Sequence, residues 1–193
     1  MNKTNLSPLI SIWFKPRRTI AEIVQRNSSY MVNFLTSTLV VLPAIRVSLS
    51  DFSNFFNFIS SFSLNIIFGA ISILIGLYLW GLLLTFVGQK IGGEGIYEDV
   101  VAVIVWSILP LLFLELFYIV ATIAIRLFPG IAGKGYIFVY RGITGLMILW
   151  SLFIGVNGLS EVHKISLGKS FWCLFASFAI VAAFLYLIRS LAF

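Results

Sequence analysis

Gly92-Gly-Glu-Gly-Ile-Tyr-Glu-Asp99 runs without a break into Val100-Val-Ala-Val-Ile-Val-Trp-Ser-Ile-Leu-Pro110. A glycine-rich acidic turn belongs in water. The run behind it carries no ionisable group until Glu115 and belongs in hydrocarbon. The stretch therefore marks a point where the chain re-enters a membrane, and it sets the fold class as helices in lipid.

The rest of the chain agrees. Its 193 residues are 60% hydrophobic and only 10% charged, against about 25% charged in soluble domains. Mean hydropathy is +1.06, which excludes a soluble globular fold of this size. A helix crosses about 30 Å of hydrocarbon with about 20 apolar residues. Five runs meet that length, near residues 30–49, 63–87, 100–125, 138–159 and 171–191. Strand-like alternation at ten-residue spacing is absent, which argues against a barrel, and backbone groups in lipid must pair within their own helix. The connections 51–62, 89–99, 126–137 and 160–170 are short, with Pro129-Gly130 and Gly133-Lys-Gly135 as turn signals and Ser166 placed to cap the last helix. The expected fold is all-α: an integral membrane bundle of five spans (30–193), preceded by a cytosolic segment (1–29).

Charge placement orients the bundle. The net charge of +6 does not point to nucleic acid, because Lys3, Lys15, Arg17, Arg18 and Arg26 all precede the first apolar run. That is the pattern of a cytosolic flank beside anionic headgroups. With the N-terminus inside, inner segments add Lys90, Lys164 and Lys169, against Arg46, Arg126, Lys134, Arg141 and Arg189 outside. The chain is thus expected in a cell membrane, N-terminus cytosolic and C-terminus opposite. The run from Leu6 to Phe14 is broken by Pro8 and followed by its charges, unlike a cleavable signal. Pro16 can start a helix, and Ile20, Ile23 and Val24 then share one face, predicting an amphipathic helix on the inner surface with Trp13 and Phe14 at the headgroup boundary.

Few residues can carry chemistry. Arg46 and Glu115 lie within spans, where an ionisable group costs about 2.5–3.5 kcal/mol. Arg46 is long enough to reach the headgroups, whereas Glu115 is not. A structural pair between the first and third spans is expected. The rival is a transporter or channel with Glu115 in the translocation path. His163, the only histidine, has no clustered thiols or carboxylates, so it reads as a solvated loop residue and no metal site is expected. Cys173 is a lone small hydrophobe. Gly92, Gly93 and Gly95 lack the Lys-Ser/Thr ending of a phosphate loop, and no cofactor or catalytic set is expected. Small residues at Gly69, Ser72 and Gly76, at Gly142 and Gly145, and at Ala179 and Ala183 suit close packing within a compact bundle or a homo-oligomer.

Three stretches together resemble the Yip family of Ypt/Rab-interacting membrane proteins in its short bacterial-type form. They are Ser11-Ile-Trp-Phe-Lys-Pro-Arg-Arg-Thr-Ile-Ala-Glu-Ile-Val24, the opening stretch through Pro110, and Trp150-Ser through Gly158-Leu-Ser-Glu-Val-His-Lys-Ile-Ser-Leu-Gly-Lys169. One departure is Ile96, where members often carry Ser or Thr. Capping of the third span then falls to a residue such as Asp99. The resemblance implies a bacterial inner-membrane protein, and the lack of a recognisable nucleophile, base or metal set argues against an enzyme. The GTPase and vesicle-traffic role of longer relatives does not carry over to a chain with so short a segment before its first span. The expected function is a membrane-organising or partner-binding scaffold. Its inner face, built from Arg17, Arg18, Glu94, Glu98, Asp99, Glu161 and Lys164, would meet an unidentified protein partner or anionic lipid headgroups.

Overall fold

A computed structural model of the chain describes residues 7–50, 52–128, 130 and 133–192. Lys3, Asp51 and Pro129 lie outside them. The described residues form eight helices: α1 (Pro8–Phe14), α2 (Pro16–Asn27), α3 (Val32–Ser50), α4 (Phe55–Lys90), α5 (Tyr97–Ser107), α6 (Leu109–Leu127), α7 (Lys134–Val162) and α8 (Leu167–Ala192). Five stretches are long and apolar enough to cross a membrane: α3, α4, α5 with α6, α7 and α8. The chain is an all-α, multi-pass helical protein.

The helices depart from the sequence expectation in three places, each for a local reason. The segment 51–62 was expected to be a connection, but α4 already begins at Phe55. Its Ser and Asn residues cap the helix instead: Asn54 Oδ1 accepts from the Asn57 N–H at 2.9 Å, and the Asn57 amide donates to Ser53 Oγ at 2.6 Å. The third span is two helices rather than one. Pro110 has no N–H to give and its ring opposes an unbroken helix. The Leu111 N–H therefore turns to the Ile108 carbonyl at 2.8 Å, and the Ser107 carbonyl takes the Ser151 hydroxyl of α7 at 2.7 Å. In the N-terminal segment, both Pro8 and Pro16 sit in the first turns of helices, so there are two short helices where one was expected.

The amphipathic stripe of α2 is real, but protein covers it. Ile20 and Ile23 are buried with Ile12 of α1, and Thr19 Oγ1 donates to the Lys15 carbonyl and accepts from the Ser11 hydroxyl, both at 2.9 Å. The apolar face expected to lie in lipid is thus spent on packing. Ile10 and Phe14 of α1 are the apolar side chains left outward.

The chain divides into two compact units, one of Met1–Tyr30, Tyr78–Ile104 and Ile154–Phe193, the other of Met31–Leu77 and Val105–Phe153. In the second unit, α3 packs along α6. Arg126 ends α3 from outside: its Nη1 and Nη2 donate to the Phe52 and Ser50 carbonyls at 2.9 and 2.7 Å. It thus takes over carbonyls that a helix C-terminus leaves unpaired. Tyr118 of α6 stacks on Tyr140 of α7 at 4.4 Å and hydrogen-bonds Thr144. The third span is the covered one: 56% of its most apolar window is buried, against 6% for those of α4 and α7. The core of each unit is built around it.

Within the chain, close packing uses Gly69 of the expected positions, where a Cβ would lie 3.7 Å from Val40, and two glycines that were not expected. Added carbons at Gly76, Gly142 and Gly145 would meet nothing, and Ala179 and Ala183 point outward. In the first unit, by contrast, a Cβ at Gly81 would lie 2.9 Å from Tyr97 and Val101 of α5, and one at Gly158 would lie 2.7 Å from Val103. These two positions let α4 and α7 close on α5.

Candidate functional site: two turns clasped around a buried histidine

In the first unit, α4 ends in a turn that needs glycine. Gly92 has φ +90°, the Gly92 N–H returns to the Gln89 carbonyl at 3.1 Å, and the Gly93 N–H returns to the Gly88 carbonyl at 2.9 Å. This is the Schellman arrangement, which satisfies carbonyls at a helix end through one left-handed residue. The end of α7 repeats it. Lys164 has φ +55°, the Lys164 N–H returns to Glu161 at 3.3 Å, and the Ile165 N–H returns to Ser160 at 3.1 Å. Here a lysine occupies the left-handed position at a steric cost that glycine would avoid.

The two turns hold each other. The Glu94 N–H donates to the His163 carbonyl at 3.0 Å, and the Gly95 N–H donates to His163 Nδ1 at 3.2 Å. Lys164 Nζ meets Glu94 Oε2 at 3.0 Å, and Lys169 Nζ donates to the Ile91 carbonyl at 3.3 Å. Arg17 of α2 completes the cluster by pairing with Glu161 at 2.7 Å. These ion pairs are exposed, so each adds little stability by itself. Their consequence is a fixed register between the turns.

His163 is the centre of this clasp, contrary to the expectation of a solvated loop residue. Its relative exposure is 0%. Gly88, Gly93 and Gly95 press their backbones on the imidazole. A Cβ at Gly88 would overlap the ring, and one at Gly93 or Gly95 would lie 2.7 or 2.6 Å from Nδ1. The glycine-rich turn is a cradle for an imidazole ring. Because Nδ1 accepts the Gly95 N–H, the neutral ring carries its proton on Nε2. Nε2 has no hydrogen-bond partner among the described residues. Burial pushes the ring below the ordinary histidine range, and the Leu84 carbonyl opposes that shift. The Leu84 carbonyl also receives the buried Cys173 thiol at 3.6 Å.

The remaining site residues fall as follows. Arg18 pairs with Glu22 along α2 at 3.0 Å. Glu98 and Asp99 sit in the first turn of α5, where negative charge suits the helix dipole. Asp99 makes no capping hydrogen bond among the described residues. Ser166 Oγ accepts from the Lys169 N–H at 3.4 Å at the start of α8. In the second unit, Arg46 Nε lies 2.8 Å from Glu115 Oε2. No group of three metal-ligating side chains occurs among the described residues. The sequence reasoning missed His163 and Gly88. The available signal was four glycines within eight residues (Gly88, Gly92, Gly93 and Gly95) near a helix end, a density that a turn alone does not require.

Comparison with known proteins places these features in a family. The family model described as Yip1 domain matches residues 10–188, which includes α2, both turns, the first four spans and most of the fifth. No curated protein and no solved structure matches the chain.

Proposed function

The chain belongs to the Yip1-domain family, and from that premise we propose that its clasped turns form a contact platform for a protein partner at the inner membrane surface. Membership makes it a non-enzymatic, multi-pass membrane protein. The partner role rests on one observation: polar side chains of three separate segments are locked into one register around His163. A rigid polar surface needs no ordering when a partner docks, which favours binding. Within it, Glu98 is exposed and has no ion-pair partner among the described residues, and Lys15 and Arg26 of the N-terminal segment are exposed in the same unit. Anionic headgroups would neutralise those basic residues and seat the platform. A transport role has less support, because the Glu115 carboxylate is committed to Arg46.

The test is photocrosslinking in native membranes from a reactive side chain at position 98. A discrete protein adduct is expected there, and none from position 186, an outward site on α8. Recovery of lipid alone at position 98 would remove the proposal.

A further inference from the structure

We propose that the second unit carries a phosphate-binding pocket, formed by Arg46 of α3, Tyr118 and Thr122 of α6, and Ile137, Tyr140 and Arg141 of α7. The cavity between these side chains is about 410 Å³, large enough for a phosphate group with part of its ester.

The argument begins with hydrogen-bond donors. Arg46 gives Nε to Glu115, and among the described residues no carboxylate takes its two terminal nitrogens. Arg141 has no ion pair among the described residues. Glu115 neutralises one of the two guanidinium groups, so the pocket retains one positive charge. Forked guanidinium donors match the geometry of a phosphate oxyanion, more so than a lysine ammonium would.

The walls hold this arrangement still. The Arg46 guanidinium lies 5.7 Å from the Tyr118 ring centre, and Tyr118 stacks on Tyr140. The Tyr118 hydroxyl is held by Thr144, and Thr122 Oγ1 donates to the Tyr118 carbonyl at 2.8 Å. The Tyr118 and Thr122 hydroxyls are therefore occupied, and the charged donors of the pocket are the two arginines.

Depth along the helices identifies what the pocket meets. Arg46 is four residues before the end of α3, Thr122 five before the end of α6, and Arg141 seven after the start of α7. At about 1.5 Å per residue, these are about 6–10 Å inside the helix ends. That is the boundary between headgroups and acyl chains. An arginine there without a counter-charge is costly, and a phosphate at that level removes the cost. The phosphate can come from a lipid headgroup or from solution.

Protein reconstituted in phosphatidylcholine nanodiscs, with and without added phosphatidylglycerol, separates the two sources. If the headgroup is the source, native mass spectrometry will show retained phosphatidylglycerol, weakened about ten-fold by Arg141→Gln and less by Arg141→Lys, which keeps the charge without the fork. If free phosphate is the source, inorganic phosphate will raise the melting temperature in pure phosphatidylcholine, and Arg141→Gln will abolish the rise. Ile137→Trp, which fills the cavity and keeps both charges, should weaken either signal. Arg189→Gln, which removes a charge elsewhere, should not. Equal losses in Arg141→Gln and Arg189→Gln, or no binding of either probe, would overturn the pocket.

Discussion

His163 and the three glycines around it show how one residue sets the requirements of others. Gly88, Gly93 and Gly95 approach the ring so closely that a Cβ at any of the three intrudes. Gly88→Ala should therefore destabilise the protein by about 1–3 kcal/mol through overpacking, whereas Gly76→Ala, which meets nothing, should be neutral or slightly stabilising. Thermal unfolding of the two variants in the same detergent checks the contrast. The ring also predicts a pH response. Its folded pKa is depressed, so above about pH 6.5 the ring is neutral in both states and the fold keeps its full stability. As pH falls below that value, the unfolded chain takes up a proton first. Stability is then lost progressively until the lower folded pKa is reached. The difference in melting temperature between wild type and His163→Gln should shrink over that window. A constant difference would mean that the ring does not titrate as its burial requires. Little of this was legible in the sequence. The glycines at 92, 93 and 95 announced a turn, but the burial of His163 depends on a second turn seventy residues away.

At the scale of elements, the five spans and their order were legible because lipid imposes a length and a composition. The faces of the spans were not. A helix in lipid is apolar all round, so hydrophobic periodicity cannot distinguish a protein contact from a lipid contact. That is why Gly81 and Gly158, which close helices within the chain, were not singled out, while added carbons at Gly142 and Gly145 meet nothing within it. Polar residues inside spans were more informative, since each needs a partner. Removing Ser151 by substitution with Ala should take one hydrogen bond from the Ser107 carbonyl at the proline break and cost about 0.5–1.5 kcal/mol. Amide hydrogen exchange around residues 107–111 should rise with it. The α3–α6 contact makes a related prediction. Glu115→Ala leaves the Arg46 charge without its carboxylate and should cost about 3 kcal/mol, while the double substitution with Arg46→Ala should recover part of that loss. Full additivity of the two would mean the 2.8 Å pair contributes no coupling.

For the whole molecule, orientation follows from where the lysines and arginines gather. The basic residues of the N-terminal segment, with Lys90, Lys164 and Lys169, predict that the clasped turns face the cytosol. Cys173, the only cysteine, is fully buried and gives a silent background for labelling. In intact cells, a cysteine at Lys15 or Glu98 should resist an impermeant thiol reagent, and one at Gly130 should react. The reverse pattern would invert the orientation. The platform itself is tested most directly by comparing crosslinking from position 98 in the wild type and in Gly95→Ala, whose added carbon would lie 2.6 Å from the ring nitrogen that the residue-95 amide bonds. If the partner reads the clasped surface, the adduct seen in wild type disappears in Gly95→Ala while membrane insertion and orientation are unchanged. An adduct of undiminished yield in Gly95→Ala would contradict the account, because the surface would then be recognised without the clasp that defines it.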